Sequence, residues 1–168
     1  KPENLLLESM LDDAGILVAD FGFAAHVPEG GMRTRCGTPA FVAPEVLVAD
    51  CHYDERVDMW SAGCLLYMLL GGYPPFQDRH HRGLFRKIRG ADFCFHEAYW
   101  KNVSLPAKQL IAGLLTTDPD FRVSAEKALK HEWLKQPNAK LEANDLSSSV
   151  GELKRFKARQ TLKGAMHA

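Results

Sequence analysis

Residues 20–45 open on Asp20-Phe21-Gly22, pass through Arg33-Thr34-Arg35-Cys36-Gly37-Thr38-Pro39 and close on Ala43-Pro44-Glu45. The stretch is rich in Gly, Pro, Thr and Arg and has no sustained apolar period, so it reads as a long irregular loop. Such loops are uncommon inside compact domains and usually carry function where they occur. Upstream of it, Leu5-Leu6-Leu7 and Ile16-Leu17-Val18-Ala19 are short apolar runs. The intervening Met10-Leu11-Asp12-Asp13-Ala14-Gly15 has the acidic pair and glycine of a hairpin loop. Downstream, residues 57–70 are apolar nearly all round, the pattern of a helix buried on every side. Gly71-Gly72 stops it, and Pro74-Pro75 prevents its continuation. An exposed amphipathic helix is expected over 81–89. A further one is expected over 105–115, with Ser104 as N-cap and Pro106 in the first turn. Ser124 caps another over 125–134 in the same way. A polar stretch, 135–149, leads to a last amphipathic segment over 150–166. Two short strands followed by five or six helices make a mainly α unit with a small β-hairpin. Trp60, Phe76 and Trp133 are its expected core aromatics.

The chain has 168 residues, 46% of them apolar and 25% charged, ordinary for one globular domain with a real core. Lys and Arg total 21, as do Asp and Glu, so net charge gives no sign of nucleic acid binding. The balance is uneven, however. Residues 146–168 carry five bases against one acid, while the first 145 carry 16 bases against 20 acids. An acidic body with a basic tail is the first functional clue. Cys36, Cys51, Cys64 and Cys94 are dispersed without a C-x-x-C pair, and no signal peptide is visible. These features read as reduced thiols in a cytoplasmic protein, with the nucleus as the second compartment. The 57–70 run contains Asp58 and Ser61 and is too short to cross a bilayer. The seven histidines show no metal-ligand spacing. The chain opens on Lys1-Pro2 without an initiator Met and is expected to be part of a longer one.

Lys1-Pro2-Glu3-Asn4, Asp20-Phe21-Gly22 and Ala43-Pro44-Glu45 follow one another in an order that resembles the C-terminal lobe of a eukaryotic protein kinase, whose catalytic loop, D-F-G and A-P-E come in this sequence. The resemblance runs through Asp58-Met59-Trp60-Ser61-Ala62-Gly63, Pro74-Pro75-Phe76, Asp118-Pro119 with Arg122, and His131-Glu132-Trp133-Leu134. It implies a kinase-like lobe over 1–134, a linker over 135–149 and a regulatory segment over 150–168. It implies ATP and Mg²⁺ as cofactors and protein substrates phosphorylated on Ser or Thr. Asp20 and Asn4 are then the metal ligands, in keeping with the oxygen preference of Mg²⁺. Lys1 meets the γ-phosphate, and Thr38 hydrogen-bonds the catalytic Asp. By family spacing that Asp stands five residues before Asn4, two residues upstream of Lys1. The Gly-rich loop, the β3 lysine and the αC glutamate also lie upstream, so these 168 residues alone are expected to be inactive. Glu3 resembles the residue that pairs with a substrate Arg three positions before the acceptor. Thr34 sits where an upstream activating kinase phosphorylates many members of the family, and phosphate there adds about −1.5 to −2 charge beside Arg33 and Arg35. Glu45 and Arg122 resemble the family's buried ion pair.

The tail from Glu152 to Met166 resembles the autoinhibitory and calmodulin-binding segment of calcium/calmodulin-dependent protein kinases. Its apolar residues fall on two faces, Val150, Leu153 and Phe156 on one and Ala158, Leu162, Ala165 and Met166 on the other. The first is expected to dock on the acidic lobe. The second, with Leu162 and Met166, suits a calmodulin groove. Ser149 takes the place of the phosphorylatable Thr of the multisubunit member, with Leu146 three residues before it instead of Arg. Two alternatives stand beside this reading: a non-catalytic kinase-like module that binds calmodulin or another partner, and part of a calcium-dependent kinase with EF-hands.

Overall fold

The computed structural model describes residues 1–9, 14–137 and 146–165, with the backbone alone at 157 and 159–165. Strands β1 (Leu5–Leu7) and β2 (Ile16–Val18) pair antiparallel in the register Leu5↔Val18, Leu6↔Leu17, Leu7↔Ile16. Among the described residues the helices are α1 (Arg56–Gly71), α2 (His81–Arg89), α3 (Glu97–Trp100), α4 (Leu105–Leu114), α5 (Ala125–Leu129) and α6 (Ser147–Ala165). Short 3₁₀ turns occupy Pro2–Asn4, Pro39–Phe41, Pro44–Leu47 and Glu132–Lys135. The chain is therefore mainly helical with one two-stranded sheet, the expected fold class.

Helix α1 is the axis of the core. It packs on α3, α4, α6 and the Pro39–Phe41 turn, while α2 packs on the Pro44–Leu47 turn. Trp60 of α1 is fully buried and stacks on Phe76 with ring centroids 5.5 Å apart. Tyr67, two turns on, meets Trp100 at 4.6 Å. Cys64 lies between them, fully buried. The helix is not enclosed all round, as its apolar run suggested. Asp58, Ala62 and Leu69 form an exposed stripe at helical spacing, with Leu65 half-buried between them. Gly71 is the last helical residue rather than the breaker. The stop is Gly72, in the left-handed region at φ 86°, whose N–H donates to the Met68 carbonyl at 2.8 Å.

Two caps follow the sequence reading. The Ser104 hydroxyl accepts from Ala107 N–H at 3.4 Å and that of Ser124 from Lys127 N–H at 3.3 Å. The second helix is shorter than expected. It ends at Leu129, and His131 Nδ1 accepts the N–H of Trp133 at 3.3 Å to start a separate 3₁₀ turn.

Helix α6 begins at Ser147, inside the stretch expected to be linker. Residues 138–145 of that stretch and Met166 lie outside the described residues. Its contact with the lobe is also rotated from the expected face. Val150 points out, 47% exposed, whereas Ser149 is 1% exposed and Leu153 and Phe156 are half-buried. The seat is Gly72. A Cβ there would lie 2.5 Å from the Ser149 carbonyl oxygen and 2.6 Å from Glu152 Cβ, so the missing side chain is what lets α6 approach.

At the other end of α1, Asp54 Oδ1 accepts the Arg56 N–H at 3.0 Å, and its carboxylate is gripped by Arg56 Nε at 2.9 Å and by the terminal Nη2 at 2.7 Å. These side-chain hydrogen bonds hold the Asp54 carboxyl below the usual carboxylate range. A lowered carboxyl pKa contributes stability above the unfolded value and loses it as pH falls through the folded one. We therefore expect Asp54→Ala to cost about 0.5–2 kcal/mol at neutral pH. In thermal unfolding across pH, the Tm gap between wild type and Asp54→Asn should narrow below about pH 4.

Candidate active site

The hairpin brings Asn4 and Asp20, 16 residues apart, side by side. Asn4 immediately precedes β1 and Asp20 follows β2 by one residue. The Ala19 N–H donates to the Asn4 carbonyl at 2.8 Å, extending the ladder by one bond. At Asp20 the backbone turns left-handed, φ 64°, a conformation Asp tolerates better than most residues. The carboxylate is thereby aimed back at Lys1 and Asn4. Asn4 Nδ2 donates to Asp20 Oδ2 at 3.3 Å, and Lys1 Nζ stands 3.7 Å from the same oxygen. Asn4 Oδ1 is left as an acceptor. A half-exposed carboxylate, an amide oxygen and an ammonium thus converge. Two hard oxygen donors suit a divalent cation of the Mg²⁺ type, with water completing its shell. The ammonium suits an anion bound beside it.

These three groups line a cleft of about 600 Å³ together with Thr38, Asp58 and Ser61. Thr38 N-caps the Pro39–Phe41 turn through its carbonyl, which accepts the Phe41 N–H at 2.9 Å, and its hydroxyl takes no part in the cap. Ser61 Oγ donates to the Phe41 carbonyl at 2.8 Å, fixing that turn on α1. Desolvation pushes the Asp58 carboxyl above the usual carboxylate range, because the cleft wall surrounds it although solvent still reaches it. The sequence pattern alone assigns Asp58 no role. Its signal was a lone carboxylate in the first turn of an otherwise apolar helix.

Glu3 and Thr34 are exposed and are not among the described residues that line the cleft. Thr34 belongs to a tethered part of the loop. Met32 and Tyr53 exchange backbone hydrogen bonds of 2.7 and 3.0 Å, the Tyr53 hydroxyl donates to the Thr34 carbonyl, and Arg33 Nε donates to His52 Nε2.

Glu45 and Arg122 form a bidentate pair, 2.7 and 2.9 Å, in which the Arg side chain is 0% and the Glu side chain 9% exposed. The guanidinium also donates to the carbonyls of Arg56 (2.8 Å), Thr116 (2.9 Å) and Thr117 (3.3 Å), so each of its five N–H groups has an acceptor. It lies 5.3 Å from the centroid of the Trp60 ring. Of the tail residues, Leu153 and Phe156 lie half-buried on α6, Leu162 lies on the same helix, and Met166 falls outside the described residues.

Residues 1–134 match the family model of the protein kinase domain. A calcium/calmodulin-dependent protein kinase type 1 from Macrobrachium nipponense is 42% identical over 169 residues, an alignment that takes in 100% of this chain and 48% of that protein. The chain spans about half the length of that relative.

Removing one member of the Glu45–Arg122 pair leaves the other buried and charged. Glu45→Ala is expected to lower unfolding stability by about 3–5 kcal/mol in urea titration. Limited proteolysis should then cut between Phe23 and Ala43 faster than in the wild type.

Proposed function

The chain belongs to the protein kinase family, and on that premise we propose that the whole protein transfers the γ-phosphate of ATP to Ser or Thr of protein substrates. The observation that carries this reading is the convergence of Lys1, Asn4 and Asp20 in one cleft with Thr38. Asp20 and Asn4 would hold Mg²⁺, which when bound neutralises phosphate charge and orients the transferring group. Lys1 supplies positive charge at the same place, where negative charge builds up during transfer. Thr38 lines the same cleft, and its hydroxyl would position the base, which family spacing places upstream of Lys1. Ser61 and the Glu45–Arg122 pair keep that part of the cleft fixed. They therefore act on the reaction through position, without touching the substrate.

Glu3, exposed beside Asn4, would choose substrates with an Arg before the acceptor. Thr34, on the tethered loop between two arginines, would take a phosphate from an upstream kinase. Helix α6 would be the regulatory element. It is basic, it rests on the lobe at Gly72, and the crustacean relative is by its name a calmodulin-dependent enzyme. Leu153 and Phe156 would contact the lobe, and Leu162 and Met166 would be the anchors for calmodulin.

The test uses the full-length protein and a Ser peptide carrying Arg three residues before the acceptor. Asp20→Asn is expected to lower kcat on the order of 10²–10³-fold with Tm nearly unchanged. Glu3→Gln should raise KM for this peptide but not for one lacking the Arg. Activity should rise with Ca²⁺ and calmodulin together, and Leu162→Ala with Met166→Ala should weaken calmodulin binding in calorimetry. An inactive full-length protein that still binds calmodulin would support the non-catalytic module instead. Activation by Ca²⁺ alone would favour a kinase with its own EF-hands.

A further inference from the structure

Between α2 and α3 the chain runs extended through Asp92-Phe93-Cys94-Phe95-His96. Alternation sends Phe93 and Phe95 inward, where both rings meet Tyr67, at 5.9 and 5.8 Å, and Phe95 meets Trp100 at 4.6 Å. Cys94 and His96 are therefore left together on the outer side. Cys94 Sγ lies 3.2 Å from His96 Nε2 and 3.6 Å from Nδ1. Neither residue is loosely held. The Tyr67 hydroxyl donates to the Cys94 carbonyl at 2.7 Å, and burial keeps that phenol protonated by pushing its pKa up. The His96 ring leans on Tyr73, centroids 5.9 Å apart.

A second cavity, of about 290 Å³, opens against this pair. Tyr67, Tyr73 and Pro74 form apolar wall, and Lys87 and Asp92 put one cation and one carboxylate on its lining. Lys87 Nζ donates to the Gln77 carbonyl at 2.7 Å and stands 3.6 Å from the Asp78 carboxylate, so a ligand carboxylate would share this cation with Asp78. The other cysteines lack this setting. Cys64 is fully buried, Cys36 and Cys51 are partly buried, and the Cys51 thiol donates to the His52 carbonyl at 3.4 Å. An imidazole beside a thiol can accept its proton as the sulfur attacks.

We propose that Cys94 and His96 form a thiol-modification site that takes glutathione disulfide, the zwitterionic peptide moiety lying in the adjoining cavity. Its carboxylates match Lys87 and its ammonium matches Asp92. In the reaction Cys94 passes its proton to His96, and the thiolate attacks one sulfur of the disulfide. A Cys94–glutathione S–S bond forms as the glutathione S–S bond breaks, and the departing glutathione thiolate recovers the proton from the imidazolium. Cys94 is oxidised and one glutathione is reduced. The site stands apart from the phosphate-transfer cleft and does not depend on that reading.

The experiment treats the full-length protein with glutathione disulfide under native conditions and follows each cysteine by peptide mass. Cys94 is expected to react first. At pH 7 its rate is expected to fall on the order of 100-fold in His96→Gln, which lacks the proton acceptor. An unchanged labelling rate at Cys36 shows that the variant is folded. Glutathione disulfide should also outpace the neutral hydroxyethyl disulfide at Cys94. Reaction at Cys94 no faster than at Cys36 or Cys51, or a His96→Gln variant with the wild-type rate at Cys94, would overturn the site. Equal rates with the two disulfides would overturn the glutathione assignment.

Discussion

Arg122 ties together three parts of the chain at one point: the end of the long loop at Glu45, the start of α1 at Arg56, and the turn after α4 at Thr116 and Thr117. All three offer oxygen atoms to one planar cation, and only a guanidinium has enough donors in fixed directions to satisfy them together. Burying both charges is expensive, and an ion pair in such a place adds little to net stability compared with well-packed apolar residues. What it adds here is location. The loop from Asp20 to Ala43 has its far end pinned at Glu45, and this anchor, with the Ser61–Phe41 hydrogen bond, holds Thr38 in the cleft that Asp20 also lines. Trp60, beneath the guanidinium and stacked on Phe76, extends the same constraint into the core.

The hairpin raises a different point. A two-stranded ribbon is marginal by itself, and this one leaves apolar side chains open on both faces, Ile16 at 63% exposure among them, with Phe23 beyond it at 74%. The polar groups of the cleft therefore stand at the rim of an apolar surface. Any protein mass that covers this surface also removes water from Asp20 and Asn4. Their attraction for a divalent cation would strengthen as a result.

Much of the fold was legible in the sequence. The span of α2 follows from its amphipathic pattern, and the caps at Ser104 and Ser124 from side-chain chemistry alone. The meeting of Asn4 and Asp20 was legible only through motif order, since nothing in local propensity says that the two ends of a hairpin converge on a carboxylate. The misreadings share one physical cause. Periodicity shows which faces are apolar but not which neighbour covers them. Thus α1 was read as enclosed although Asp58, Ala62 and Leu69 are open, and α6 was expected to dock through Val150 although Ser149 and Glu152 reach Gly72. The early end of α5 turns on a histidine side chain that accepts a backbone N–H, a choice that no apolar pattern contains.

Gly72 ends α1 and seats α6 with the same absent side chain. The two demands are of different kinds, one on backbone handedness and the other on distance between chains, yet both fall on a single codon. Drift at this position is closed in two directions at once. A replacement that accepted the left-handed turn would still push α6 away, and one compatible with α6 at a distance would still strain the turn. The lobe and its C-terminal helix are therefore bound into one heritable unit at this point, and a lineage that discarded the helix would keep only the demand for a left-handed residue there.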